Sequence, residues 1–533
     1  MNNCPNCGST NFIKKGTEIS NGVLRQRHKC KDCSVNFYDP PSPIIRQSLP
    51  DPVIGNGSIQ FEDVYGQYDG IVVTSCLNNT EVFGDFLSGL EKYCDQKNYK
   101  LFIIGNRYRN PAMDGDDMEW PPEAVPHILN ENIKYKDKFK VIGDCNIQAT
   151  ATNPLTGIDG ICEGMTTIVG HPVVQMKSIA VNSWRDSIIL HSTGSISLKN
   201  NYSASKAGHR AQFHHCFGAV VIDIDKKSDI FFIRQLLADK TGVFHDLDEK
   251  WDATGFVNFE DIDAIYTGDE HVLFADKEVV EATYGAGGIV DRLKPKYIIR
   301  GDIIDSYSIS HHHMNDFFTR WKKHQVTQNG SLREELKLSL DHVFDTTPKF
   351  ALTLIVGSNH DDHIDKWLNI SDPKFDYVNA EIYHQLMYLK LGDIRSGLGR
   401  SALEIYLEQV YKIQELKDYQ SRDKVRFIEN GFALHGITLS MHGDAGPNGS
   451  RGSVQNLSKI GEKCIIGHSH TPSIVGGAWC VGTSSLKKMD YTKGPSSWLH
   501  THCIIHKNGK RQLITIIDGK WRIENNIKRK LWK

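Results

Sequence analysis

The stretch KCIIGHSHTP, residues 463–472, sets two histidines two positions apart directly behind a short apolar run. Cys464, Ile465 and Ile466 read as the end of a buried strand, and Gly467 lets the chain turn. If the segment stays extended, side chains at i and i+2 project to one side. His468 and His470 are then expected to point together beyond the strand end. Two imidazoles aimed at one place suit a metal ion. Two loop histidines bonded to backbone are the alternative.

The rest of the chain favours the metal. From about residue 258 onward, an apolar run ends in metal-type ligands five times. IDAIYTGDEH ends at Asp269 and His271, and KYIIRGDIID at Asp302 and Asp305. FALTLIVGSNHDD brings Asn359, His360 and Asp361; ITLSMHGD brings His442; CIIGHSH brings His468 and His470. Ligands gather at the carboxyl ends of strands in α/β sheets. Such strand ends meeting at one edge would supply enough imidazoles and carboxylates for two ions with one shared carboxylate.

Taken in order, these motifs resemble the calcineurin-like metallophosphoesterases: Asp-x-His, Gly-Asp-x-x-Asp, Gly-Asn-His-Asp, a lone His, then Gly-His-x-His. The resemblance covers roughly residues 258–490. It implies an α/β fold, a β-sandwich flanked by helices, with a dinuclear centre. Asp269, His271 and His470 would hold one ion, and Asn359, His442 and His468 the other. Asp302 would bridge them, and His360 would face the substrate phosphate with Asp361 orienting its ring. Ser358 departs from the family pattern by lengthening the turn before Asn359. His435 rivals His442, but the Gly-Asp that follows the family's ligand follows His442 here. Nitrogen and oxygen donors without thiolate suit manganese first, with iron or zinc as alternatives. Two such ions clamp a phosphate for in-line attack.

GDIIDS and GSNHDD are closer to the SbcD-type DNA nucleases and small phosphodiesterases than to the protein phosphatases of this superfamily. The layout also resembles phage-encoded early phosphoesterases that attack host DNA. The expected function is therefore hydrolysis of DNA phosphodiesters. A small-molecule phosphodiesterase or phosphatase, or a non-catalytic DNA-binding scaffold, are the alternatives.

At the start of the chain, Cys4 and Cys7 form one CxxC and Cys30 and Cys33 another. Two such knuckles complete a tetrahedral structural zinc site. CPNCGS…LRQRHKCKDCSVNFY resembles zinc ribbons of transposases and other DNA enzymes. Its Lys14, Lys15, Arg25, Arg27, Lys29 and Lys31, with Phe12, Phe37 and Tyr38, suit contact with DNA; docking a protein is the alternative. The expected domains are the ribbon at 1–40, a proline-rich linker at 41–56, an α/β domain without a legible motif at 57–255, and the phosphoesterase domain at 256–533, with a helical insertion at about 364–425. Within the second, HSTGSISLKNNYSASKAGHRAQFHH, residues 191–215, is rich in polar and basic residues and reads as a long surface loop, with phosphate binding as the alternative.

A net charge of −2 gives no global field for a polyanion, so any nucleic-acid contact must come from local basic patches, such as the NNIKRKLWK tail. No apolar run reaches the roughly 18–20 residues that span a bilayer, and the start lacks a secretory pattern. The expected partners are DNA and further copies of the chain, without a membrane, in a cytoplasm, that of a bacterial host if the chain is phage-encoded.

Overall fold

The computed structural model describes residues 3–20, 23–38, 58–108, 119–182, 187–199, 202–313, 316–489 and 492–523. The proline-rich linker, the basic tail, and the side chains of Arg25 and Tyr38 lie outside the described residues. Among the described residues no helix is long and apolar enough to cross a membrane.

The first unit is a three-stranded antiparallel sheet of Phe12–Ser20, Val23–Cys30 and Asn36–Tyr38. Its small core is Phe37 stacked on His28, with Phe12 edge-on to both.

In the second half of the chain, one sheet runs in the order Val425–Phe427, Leu352–Ile355, Tyr297–Arg300, Ala264–Tyr266, Thr501–Ile505, Arg511–Thr515. The first four strands are parallel neighbours and the last two antiparallel. A second sheet faces it, with Ala433–Leu434, Ile437–Thr438, Lys463–Ile466, Ala478–Cys480 and Ser473–Val475 in that order. Alternation along each strand builds the layers. Tyr266, Ile299, Cys503, Ile465 and Trp479 point into the core between the sheets. Ile265, Ile298 and Ile504 point outward, onto the helices Lys277–Tyr284 and Ile289–Leu293. Cys464 and Ile466 point the other way, onto Val454–Leu457. The result is a helix–sheet–sheet–helix sandwich, consistent with the expected α/β class.

The region 57–255 repeats this plan, without a counterpart of Val425–Phe427 and with one added strand, Ile59–Gln60, on the outer edge of its second sheet beside Ile133–Tyr135. Its first sheet has the order Ile128–Leu129, Tyr99–Asn106, Gly70–Leu77, Gly218–Asp225, Ile230–Leu237. The first three are parallel and the last two antiparallel. Its second sheet has Ile133–Tyr135, Phe139–Ile142, Thr166–Val169, Ile188–Ser192 and Met176–Ile179, with directions matching those of the later half. The helix Gly84–Lys97 packs outside the first sheet through Phe86, Leu87 and Leu90.

The two sandwiches join through equivalent elements. Met176–Ile179 pairs antiparallel with its counterpart Ser473–Val475, Met176 opposite Ile474, so the two second sheets become one of eleven strands. The equivalent edge strands Ile230–Leu237 and Arg511–Thr515 also meet, where the Leu513 N–H donates to Gln235 Oε1 at 2.8 Å. Equivalent strands facing each other mark an approximate twofold axis between the halves. The expected boundary at 255/256 falls inside the strand Gly255–Phe259, whose small sheet with Phe244–Asp246 and Glu249–Asp252 lies against the helix Gly84–Lys97.

Two further features depart from the expected organisation. The stretch 191–215 is a surface segment only in its later part, which includes the largely exposed helix Lys206–His214. It begins in the strand Ile188–Ser192 and stays buried through Ser197, because its hydroxyls are satisfied internally; Ser192 donates to Val173 O at 2.7 Å and Ser195 to Ser75 O at 2.9 Å. The helical insertion begins earlier than expected, at Asn359, and forms the connection between the paired neighbours Leu352–Ile355 and Val425–Phe427. In the first half only residues 130–132 separate the equivalent strand from the next.

Candidate metal centre

The strands Ala264–Tyr266, Tyr297–Arg300, Leu352–Ile355, Ile437–Thr438 and Lys463–Ile466 all deliver their following loops to one edge of the sandwich. Main-chain bonds stitch these loops together. The His271 N–H donates to Asp302 O at 2.7 Å, and the Gly467 N–H to His442 O at 2.7 Å. His271, Asp302, His468 and His470 have φ of 40°, 45°, 68° and 56°. Left-handed backbone at non-glycine residues costs of order 1–3 kcal/mol each and clusters at functional sites. Space is as tight as the backbone. A Cβ on Gly467 would lie 2.1 Å from Asp269 Oδ1, and one on Gly301 3.1 Å from His442 Nδ1.

The segment after Gly467 is therefore not extended, as the sequence reading supposed. Ser469 donates its N–H to Gly467 O, and the two histidines diverge to different partners because each sits in a left-handed turn. His470 Nε2 lies 3.0 Å from His271 Nε2 and 3.3 Å from Asp269 Oδ2. His468 Nδ1 lies 2.9 Å from Asn359 Oδ1. Between them sits Asp302, with Oδ2 3.5 Å from His271 Nε2 and 3.1 Å from His442 Nε2. Two tight groups result, His271–Asp302–His470 and Asp269–Asp302–His442, and Asp302 belongs to both. His435 is elsewhere, on a surface turn with Nε2 2.6 Å from Asp263.

The cluster is buried and underpaired. Asp269 Oδ1, Asp302 Oδ1, both ring nitrogens of His442 and His470 Nδ1 have no hydrogen-bond partner. Buried polar atoms are normally paired, so converging carboxylate oxygens and imidazole nitrogens in this state fit divalent cations. The electrostatics agree. Burial lifts the Asp269 carboxyl to about 7 against the pull of His442. Burial opposes charge on His442, yet Asp302 and Asp269 raise it to about 10. Burial likewise opposes charge on His271, and Asp305 and Asp302 raise it to about 9.

Asp305, three residues beyond Asp302, has a role the motif reading did not assign. Its Oδ1 lies 2.9 Å from His271 Nδ1 and can only accept, so Nδ1 carries the proton and Nε2 turns its lone pair to the cluster. Its carbonyl oxygen does the same for His360, at 2.8 Å from Nδ1. His360 is thereby left with Nε2 free of that bond, in a half-open position beside His271 at 4.8 Å between ring centroids. Asp361 does not orient that ring. Ser358 caps the helix Asn359–Ile370, and Asp361 closes the capping box by accepting the Ser358 N–H at 3.0 Å. Burial and the nearby Asp302 raise Asp361 to about 8. Trp498, also unforeseen, lies against His470 at 4.3 Å.

Cys4, Cys7, Cys30 and Cys33 converge as well, with Cys4 and Cys33 sulfurs 3.6 Å apart and Cys7 and Cys30 equally so, a set that fits zinc. The first sandwich has no such group among the described residues. Its strand Gly70–Leu77 runs into Asn78 and Tyr99–Asn106 ends in Gly-Asn. Thr166–Val169 runs into Gly-His-Pro, but both nitrogens of His171 are engaged by Gln148 O and the Val173 N–H at 3.0 Å each.

No family model and no solved structure matches this chain. Protein A1 of Escherichia phage T5 is 31% identical to it over 481 residues, covering 84% of this chain and 82% of that protein.

Proposed function

This chain belongs to the family of protein A1 of Escherichia phage T5, and on that premise we propose that it is a phage-encoded phosphodiesterase with a dinuclear metal centre, acting on DNA in the host cytoplasm. The observation that carries the reading is the pair of buried ligand groups sharing Asp302, with unpartnered oxygens and nitrogens turned inward at the ends of one set of strands. The facing sheets with flanking helices support the calcineurin-like assignment.

Asp269, His271 and His470 would hold one ion and Asn359, His442 and His468 the other, with Asp302 between; manganese suits these donors first. When bound, the ions supply Lewis acidity and an activated nucleophile. The protein supplies the rest. Asp305 fixes the tautomer of His271 and, through its carbonyl, that of His360. With Nδ1–H held on the Asp305 carbonyl, His360 presents Nε2 to the site and, as the imidazolium, can donate from it to the leaving oxygen or to charge developing on the phosphate. The tight glycine contacts at Gly301 and Gly467 keep the loops at the spacing the ligands need. The ribbon adds a basic module for DNA.

The test is cleavage of circular and linear DNA with manganese, beside hydrolysis of bis-p-nitrophenyl phosphate. Chelation should abolish both and manganese restore both. Hydrolysis of the small diester without cleavage of any DNA would move the protein to the small-molecule phosphodiesterases. Full activity after exhaustive chelation would overturn the metal centre.

A further inference from the structure

A line of imidazoles leads out of the metal centre. Ring centroids are 4.8 Å apart from His271 to His360, 5.0 Å from His360 to His363, 5.1 Å from His363 to His311, and 3.9 Å from His311 to His312. The line starts among fully buried residues and ends at His311 and His312, which are exposed.

The helix Phe317–Gln325 lies beside its outer end. Phe317, Phe318 and Trp321 share one face at i, i+1 and i+4 and are 70%, 82% and 55% exposed. Arg320, Lys323 and His324 line a neighbouring cavity of 330 Å³ together with Trp367, Phe375 and two carboxylates, Asp372 and Asp376. The Lys323 ammonium sits 4.1 Å from the Tyr307 ring, in the loop that follows Asp305. The helix sequence FFTRWKKHQ contains no acidic residue.

An exposed patch of large aromatics marks an interaction surface. Its partner can be read from the charges. Protein interfaces are depleted in lysine at their core, whereas along this helix Arg320, Lys322 and His324 follow closely on the exposed rings, with the exposed His311 and His312 beside them. Cations interleaved with flat apolar surfaces match an unpaired nucleic-acid strand, whose phosphates and base faces are both accessible. A duplex hides its base faces in the stack.

We infer that the histidine line and the helix Phe317–Gln325 form the track for a single strand of DNA entering the metal centre. Phosphates run along His311, His312 and Arg320, and bases stack on Phe317, Phe318 and Trp321. The inference rests on the phosphodiesterase reading for its chemistry, but the binding it describes can be measured without catalysis.

The experiment uses the full chain and its Phe317→Ala/Phe318→Ala/Trp321→Ala variant, in which all three side chains are solvent-facing. Affinity for oligo(dT) and for a blunt hairpin duplex is measured in EDTA by fluorescence anisotropy. Loss of even one stacked base should weaken oligo(dT) binding by about tenfold or more and leave the duplex little affected. With manganese, cleavage of the oligonucleotide should fall at least tenfold more than hydrolysis of bis-p-nitrophenyl phosphate. Unchanged oligo(dT) affinity, or an equal loss on the duplex, would overturn the track. So would a change in sedimentation of the variant, which would make the face a contact between protein copies. If the wild-type chain hydrolyses neither ester while oligo(dT) binding still depends on the three aromatics, the track stands and the phosphodiesterase reading falls.

Discussion

The two sandwiches have the same strand order, but the loops at their strand ends differ in what they hold. In the later half, Gly467 lets the Asp269 carboxylate approach so closely that a Cβ would overlap it at 2.1 Å. At the same place in the earlier half, directly after Thr166–Val169, a Cβ on Gly170 would meet the Ile104 side chain at 2.6 Å. One glycine makes room for a ligand and the other for a core residue. The later half also keeps six unpartnered carboxylate and imidazole atoms at this edge, on Asp269, Asp302, Asp361, His442 and His470. Each buried unsatisfied group costs roughly 1–3 kcal/mol. The matching edge of the earlier half carries amides, hydroxyls and isoleucine instead, held by hydrogen bonds such as Asn106 Nδ2 to Gly170 O at 3.0 Å and Ser195 to Ser75 O at 2.9 Å. The same plan thus carries a packed edge in one half and, in the other, a strained edge where carboxylates and imidazoles able to hold a metal converge.

The comparison breaks most sharply at Asp302. Asp302→Ala should remove the shared ligand and take phosphodiesterase activity to background. Asn106→Ala, at the matching strand end of the first half, should lower stability by about 1 kcal/mol and leave turnover per folded molecule as it was. Equal loss of activity in both would mean that the first half takes part in the chemistry.

The glycine pair comes next. Gly467→Ala should displace Asp269 and sharply lower metal content measured by plasma emission. Gly170→Ala should cost about 1–3 kcal/mol by overpacking, seen as a lower Tm with metal content intact. Metal retained in Gly467→Ala would sink the close-approach argument.

His360→Ala should reduce turnover by about 10²–10⁴ with both ions kept. A variant that loses an ion would place His360 among the ligands instead.

The smallest effect concerns protons. Without metal, His271 and His442 titrate at about 9 and about 10, so both are charged at neutral pH. Manganese must displace those protons, so its affinity should rise with pH, with proton release visible by calorimetry in buffers of different ionisation enthalpy. The sign reverses for the metal-free fold. Histidines raised above their unfolded value of about 6.5 stabilise fully below that pH and cease to do so as pH climbs through about 9 to 10. Chelated protein should therefore lose Tm on the alkaline side. An affinity for manganese that fell between pH 6 and 8 would contradict both statements.

The sequence by itself marks the candidate ligands. Asp269, His271, Asp302, Asn359, His442, His468 and His470 each stand just past a short apolar run, and strand ends are where an α/β sheet gathers its chemistry. The four ribbon cysteines were legible for the same reason, since a CxxC knuckle is local. Only the tertiary structure decided the rest. Asp361 was legible as a site residue but not as a cap, because capping depends on where the helix begins, one residue after Ser358. Trp498 reaches His470 across a loop whose path no periodicity specifies. The first sandwich is the largest case. GNRYRN and VGHPVV share the glycines of the later motifs, but of the later histidines and carboxylates they keep only His171, and apolar alternation with a few glycines is common to many folds. What identifies the repeat is strand order and the pairing of Met176–Ile179 with Ser473–Val475, far apart in the chain. Ligands are chosen by side-chain chemistry, which the sequence spells out; strand order is chosen by burying two apolar faces at once, a condition met only when the whole chain is folded.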